Sequence, residues 1–395
     1  MTRVCLVSGG NVSTNPRLVS AADALHAAGH QIRVVAVDAL PDNAERDAAV
    51  MRTRPWRLDR VNIRHGDIVG TMQRVAARVE RALSRSPELA RSPYLDLLTR
   101  AVTAEPADVV LGYTFGALPV AVRGAERLGA LAGFDIEDLH AGELPDAPQY
   151  AAAQQVTADI ERRYLPRCRT LTAASEGIAD AIVAAYGVAR PTVILNTFPL
   201  SDRPLTPPGP RRGRPSLYWY SAVVGTDRGI EDAVSALREV PADLHLRGTI
   251  TPEYAARLKA RAADLGVADR LYLLPQAPPP DLVALAAEHD IGLALELGAT
   301  RSRCVAVTNK LLVYLLAGLA VAATDIPGQR AILDGASGAG FLYPPGDVDA
   351  LVAGLRALLA DLPRAKAASR AAGERRFNWE MEAPRLVRYL EDAWR

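Results

Sequence analysis

The opening stretch of this chain constrains its fold more than any other feature. Arg3–Ser8 is a short run rich in branched aliphatic residues that stops at Gly9-Gly10, and Asn15-Pro16 then opens a helix. Leu18, Ala22, Leu25 and Ala28 recur at helical spacing, Gly29-His30 ends the helix, and Ile32–Val37 is a second apolar run. Strand, glycine turn, helix, glycine stop and strand make a βαβ unit, which closes only into a parallel sheet covered on both faces. Further strands are predicted at Val109–Leu111, Gly133–Ile136, Thr170–Thr172 and Thr192–Leu195, with alanine-rich helices between them.

The texture changes after Asn196. Pro199 to Pro215 holds six prolines and four arginines without periodicity, as an exposed linker would. The alternation then restarts with strands at Ser216–Ser221, Asp243–Arg247, Arg270–Leu274, Ile291–Leu295 and Ala320–Thr324, and helices between them. At 395 residues and 49 % apolar content the chain can fill two cores. The expected organisation is a Rossmann-like domain over 1–200, a linker over 201–215 and a second Rossmann-like domain over 216–376. A helix over 377–395, capped by Asn378, is expected to pack back toward the first domain. The fold class is α/β, with the two domains facing one another across a cleft and ligands in the loops after strands.

Composition excludes some functions. A net charge of +1 and 5 % aromatics argue against nucleic acid as a partner. Cys5, Cys168 and Cys304 have neither disulfide nor metal-ligand spacing and read as reduced thiols of a cytoplasmic protein. No secretory leader or membrane span is expected. Over residues 68–85, Met72, Val75, Val79 and Leu83 share one helical face, and Arg74, Arg78, Arg81 and Arg85 share the opposite one. The simpler reading packs the apolar side onto its own domain. The other is weak contact with a membrane surface.

Three segments of the second half carry a family resemblance: Tyr220–Glu231, Thr308–Val321 and Gly340–Asp347. In order and spacing they resemble the donor domain of retaining GT-B glycosyltransferases, the family that includes sucrose and mannosyl transferases. The first half is similar to the acceptor domain through Gly9-Gly10, Asn15-Pro16-Arg17 and Ala27-Ala28-Gly29-His30. The resemblance implies transfer of a sugar from a nucleotide-diphosphate sugar, as co-substrate, to a small-molecule or glycan acceptor. It implies retention, with no metal and no other cofactor.

It also nominates residues. Arg228, after a strand and before a helix start, would neutralise the diphosphate as the glycosidic bond breaks, in the loop that contains Gly225. Thr308 would cap the next anion-binding helix, with Asn309 and Lys310 at the phosphates. His140, in the acidic stretch Asp135–Glu143, would face the transferred sugar. Asp138 would fix its tautomer, or the cluster, with Glu143, would bind a cationic acceptor group. Gly9 and Gly10 would let the backbone approach the donor, and Arg17 would be a second phosphate or acceptor contact. Pro275 and Gln276 would lie at the nucleobase.

Two departures stand out. Val223 replaces an arginine, and Val305 and Val313 stand where relatives carry paired glutamates, the second on ribose. A missing ribose acceptor costs about 1–3 kcal/mol. Glu296 is the expected substitute, and Arg301 or Arg303 could add charge at the phosphate. The departures leave room for a non-catalytic nucleotide-sugar binder or partner activator, and more weakly for an epimerase or phosphorylase.

Overall fold

A computed structural model of the chain describes residues 1–39, 41–83, 86–204 and 213–395. Most of the expected linker, 205–212, and Arg85 of the basic helix lie outside the described residues. The chain divides into two compact units, Met1–Ile194 with Ala383–Arg395, and Leu195–Glu382. The last helix, Trp379–Trp394, begins in one unit and ends in the other. Asn378 caps it, its Oδ1 accepting from the Met381 amide at 3.1 Å.

The first unit is built on seven parallel strands: β1 Arg3–Ser8, β2 Gln31–Asp38, β3 Arg57–Asn62, β4 Val109–Tyr113, β5 Leu131–Ile136, β6 Thr170–Ala173 and β7 Thr192–Val193. Their order is β3-β2-β1-β4-β5-β6-β7. Val4, Cys5, Leu6 and Val7 are all buried, as a strand covered on both faces requires. Burial pushes the Cys5 thiol up to about 11, so it is an inert core residue.

The second unit repeats the plan with six strands: β8 Ser216–Val224, β9 Asp243–Ile250, β10 Leu271–Leu274, β11 Ile291–Ala294, β12 Ala320–Thr324 and β13 Gly340–Tyr343. The order β10-β9-β8-β11-β12-β13 is that of the first unit, one strand shorter. One apolar layer, around Trp219, Leu244 and Leu293, covers one face. Another, around Tyr218, Tyr314 and Leu315, covers the other.

In each unit the strand order reverses once, between β1 and β4 and between β8 and β11. Connections leave to opposite faces at that point, and the loops there diverge to form a ligand crevice at the carboxyl ends of the strands. The functional residues of each unit are sought there.

The helix Ile68–Leu83 overturns the packing expectation. Ile68, Met72 and Leu83 are 79, 67 and 81 % exposed, and Val69, Val75 and Val79 are exposed as well. The side turned toward the domain is made of small residues, Gly70 and Ala77. Among the described residues, no helix is long and apolar enough to cross a membrane.

Candidate active site

In the second unit, β11 ends at Ala294 and delivers Glu296 to the crevice. This carboxylate organises its surroundings. Lys310 Nζ donates to Oε1 at 2.6 Å, the Thr308 hydroxyl donates to the same oxygen at 3.2 Å, and Gln329 Nε2 donates to Oε2 at 2.8 Å. The Glu296 carbonyl accepts from the Thr324 hydroxyl at 2.6 Å. Burial acts to raise the Glu296 carboxyl, but the Lys310 ammonium and these hydrogen bonds outweigh it and hold it below the ordinary carboxylate range. Lys310 Nζ also lies 5.2 Å from the Trp219 ring centroid.

This arrangement changes two expectations. Lys310 is buried in an ion pair rather than reaching outward as a free cation. Thr308 occupies the N-cap position of the helix Asn309–Ala317, but its side chain makes no capping bond, because its hydroxyl is spent on Glu296. The helix start is left without a side-chain cap, which favours an incoming anion. Asn309 is exposed, and its Oδ1 accepts from Asn196 at 3.0 Å.

The loop after β8 reaches the same place. Asp227 and Gly229 both have positive φ, 60° and 68°. A Cβ on Gly229 would lie 2.5 Å from the Leu295 carbonyl oxygen, so only glycine lets this loop press against the residue preceding Glu296. Gly225 opens the loop and Arg228 sits within it, half-buried and without a carboxylate partner among the described residues. Lys310 is thus neutralised by Glu296, whereas Arg228 has no carboxylate partner among the described residues. Glu231, in the following helix, is occupied by Tyr254 and Arg257 at 2.8 and 3.1 Å.

Val223 is exposed at the end of β8, and Val313 is fully buried in the apolar layer with Tyr314 and Leu315. Position 313 is therefore core here. Pro275 and Gln276 follow β10 on the same sheet edge. The Pro275 carbonyl accepts from Arg247 at 3.1 Å, and Gln276 Oε1 accepts from Thr249 at 3.2 Å.

In the first unit the crevice loops are those after β1 and β4. Gly9 donates its amide to Thr114 Oγ1 at 3.1 Å, and Gly10 donates to Ser8 Oγ at 3.1 Å. Thr114 itself has φ 68°. Asp47 holds the start of the loop, accepting from Asn11 Nδ2 at 3.0 Å and the Ser13 amide at 2.8 Å.

Arg17 does not project toward a ligand as expected. It is buried and forms a bidentate pair with Asp135, 2.5 and 2.9 Å, leaving Nη1 buried and unpartnered among the described residues. Thr172 also donates to Asp135. Asn15 joins two tasks, its Oδ1 capping the helix through the Leu18 amide at 2.9 Å and its Nδ2 donating to Glu137 at 2.8 Å. Burial, and then the charge of Asp135, push the Glu137 carboxyl up to about 7.

His140 lies against Phe115, ring centroids 4.8 Å apart. Glu143, rather than the expected Asp138, holds the ring, with Oε1 2.6 Å from Nδ1. Nε2 is buried with no protein partner among the described residues. Burial lowers the imidazole pKa, but the Glu143 hydrogen bond and charge reverse this and raise it. With Glu143 at Nδ1, the buried Nε2 is left for a ligand, as an acceptor in the neutral ring and a donor in the protonated one. Glu143 is also 3.8 Å from Arg91, and Asp138 is exposed.

The sequence pointed to neither Gln329 nor Thr114, and it showed Asn15 only as a helix opening and Glu137 only as part of the acidic stretch. Gln329 follows β12 with no local signal beyond its place after a strand. Among the described residues, no group of three His, Cys, Asp or Glu side chains is placed to hold a metal ion.

Two family models match in tandem: "Glycosyl transferase 4-like domain" over residues 14–197 and "Glycosyl transferases group 1" over residues 217–361. No curated protein matches the chain. Among solved structures, HepE of Anabaena, crystallised with UDP, superposes with a TM-score of 0.71 at 14 % identity, covering 99 % of this chain and 100 % of that one. Sucrose-phosphate synthase of Thermosynechococcus elongatus gives 0.71 at 16 % identity, covering 99 % of each. TarM gives 0.73 at 9 % identity, covering 100 % of this chain and 99 % of its own. These likenesses rest on fold, and the two family models on sequence. Both agree with two parallel-sheet α/β units in tandem. The chain belongs with the glycosyltransferases of GT-B fold, as a glycosyl transferase 4-like domain followed by a glycosyl transferases group 1 domain.

Proposed function

We propose that the protein transfers a hexosyl or related group from a nucleoside diphosphate sugar to a glycan or small-molecule acceptor, with retention and without metal or other cofactor. One observation carries this reading. Arg228, without a carboxylate partner among the described residues, precedes Gly229, whose backbone lies against Leu295, next to the Glu296 that anchors Lys310 and takes the Thr308 hydroxyl from capping the helix Asn309–Ala317. A cation in the loop after β8 and an uncapped helix start, whose loops both meet the 295–296 segment, suit a diphosphate whose charge grows as the sugar leaves. HepE has been crystallised with UDP and with UDP-glucose, which supports a nucleotide-sugar donor of that kind.

In this reading the second unit binds the donor. Arg228 and the helix start stabilise the departing diphosphate, and Lys310 acts by fixing Glu296 and the Thr308 turn. Pro275 and Gln276 flank the base, while Gly225 and Asn309 line the phosphates. In the first unit, His140 presents Nε2 to a sugar hydroxyl, positioned by Glu143. Gly9, Gly10 and the Arg17–Asp135 pair shape the acceptor side, and Asp138 is an exposed acceptor contact. Purified protein incubated with a panel of nucleotide sugars should release nucleoside diphosphate from at least one. The released sugar's anomeric configuration in the product, read by NMR, tests retention.

A second reading draws on Val313, whose burial leaves the usual ribose carboxylate without a counterpart. It makes the chain a nucleotide-sugar binder without turnover. Calorimetric binding of nucleoside diphosphates with no release across the whole donor panel would select it.

A further inference from the structure

Among the described residues, ten large hydrophobic side chains are exposed, and six of them, Ile68, Val69, Met72, Val75, Val79 and Leu83, lie on the single helix Ile68–Leu83. At about 100° per residue, Ile68, Met72, Val75 and Val79 fall on one stripe, while Gly70 and Ala77 fall opposite it. The opposite side is the attached one. Ala77 is buried, and a Cβ on Gly70 would lie 2.5 Å from the Arg64 carbonyl oxygen. Asp67 caps the helix start by accepting from the Gly70 amide at 3.1 Å, and Arg74 ties the helix to the Ile63 carbonyl at 2.6 Å. The helix is thus fastened by its small residues with its apolar stripe turned to solvent, the reverse of a helix that serves the core.

Charge indicates what covers the stripe. Residues 52–83 hold eight arginines against three acidic residues, in a chain whose net charge is +1. Some of these arginines are committed: Arg54 pairs with Asp23, Arg57 with Asp59 and Glu105, and Arg64 with Asp38. Arg52, Arg60 and Arg78 are exposed and carry no ion pair among the described residues. A two-fold dimer through this stripe would set two such basic segments against each other. A surface of anionic headgroups over acyl chains matches both the stripe and its flank.

We propose that the helix Ile68–Leu83 is an in-plane docking element for an anionic lipid surface, with Met72, Val75 and Val79 entering the acyl boundary and Arg78 at the headgroups. The proposal uses no feature of the donor site, so it stands or falls independently of the transferase activity.

The test is co-sedimentation of the full chain with phosphatidylcholine vesicles, with and without phosphatidylglycerol. Wild type should pellet with the phosphatidylglycerol vesicles and be released by high salt. Arg78→Glu should weaken this binding about tenfold, and the triple variant Met72→Ser, Val75→Ser, Val79→Ser should abolish it. Since these side chains are exposed, the triple variant should melt with the wild type. The proposal is overturned by wild type remaining in the supernatant, or by equal binding of the triple variant. It is also overturned if the triple substitution turns a dimer into a monomer in sedimentation velocity, or sharply lowers the melting temperature, either of which would mean that protein covers the stripe.

Discussion

Lys310→Met isolates the physical core of the donor-side arrangement. The ammonium and the Glu296 carboxylate are 8 and 12 % exposed and 2.6 Å apart. Deleting one partner of a buried pair costs about 3–5 kcal/mol, because the other charge is stranded. Glu296 would keep its bonds from Thr308 and Gln329 and can escape by taking up a proton, which places the loss near ~3 kcal/mol. For a unit the size of Leu195–Glu382, that is roughly 6–12 °C in its thermal transition.

The sign of the pH dependence is specific. In the wild type the Glu296 carboxyl lies below its unfolded value, so pairing stabilises above the ordinary carboxylate range and fades as pH falls through the lower folded value. In Lys310→Met, the main opposing charge is gone and burial outweighs the remaining hydrogen bonds, moving the carboxyl above its unfolded value, so the penalty grows as pH rises past that value. The gap between the two proteins should therefore be widest at neutral pH and narrow in acid. Adding Glu296→Gln should recover much of the loss. Calorimetric scans of the full chain across pH decide the matter. A variant that melts with the wild type at every pH, yet binds nucleotide more weakly, would refute the ion pair and restore Lys310 as a free anion ligand.

Three further outcomes follow from the site. Arg228→Ala should lower turnover with an accepted donor about 10²–10³-fold, while leaving the melting temperature unchanged because Arg228 has no ion pair to lose. Unchanged turnover would remove Arg228 from the mechanism. Gly229→Ala meets both a φ of 68° and the Leu295 carbonyl, so it should destabilise by more than ~1 kcal/mol in urea unfolding. Glu137, with its carboxyl raised to about 7, makes the first unit lose stability as pH rises from the ordinary carboxylate range toward 7. Glu137→Gln should flatten that slope in chemical denaturation.

Much of the sheet architecture was legible because parallel strands covered on both faces are unbroken apolar runs. β1, β2, β8, β11 and β12 all read this way. β3 did not, because Arg57–Asn62 is an edge strand whose pattern is largely polar. Arg228, Thr308 and His140 were nominated by the family resemblance, Arg228 and His140 also by their places after strands and Thr308 as a helix cap. The meaning of Glu296 was less accessible. Its contact with Lys310, fourteen positions on, exists only because β11 and the helix Asn309–Ala317 converge at the crevice. Asp138 and Glu143 illustrate the same limit, since nearness in sequence favoured the wrong carboxylate for the His140 ring.

The amino-acid pattern by itself determined the two βα repeats and the loops that follow their strands, because hydrophobic period and glycine placement act locally. Tertiary structure alone decided which charges remain free. Arg17 and Lys310 look as available as Arg228 along the chain, yet the fold places carboxylates against the first two and, among the described residues, none against the third. It likewise decided that the helix Ile68–Leu83 attaches through Gly70 and Ala77 and presents its apolar stripe outward. Periodicity establishes that a helix has two faces; only the neighbours it packs against select the buried one.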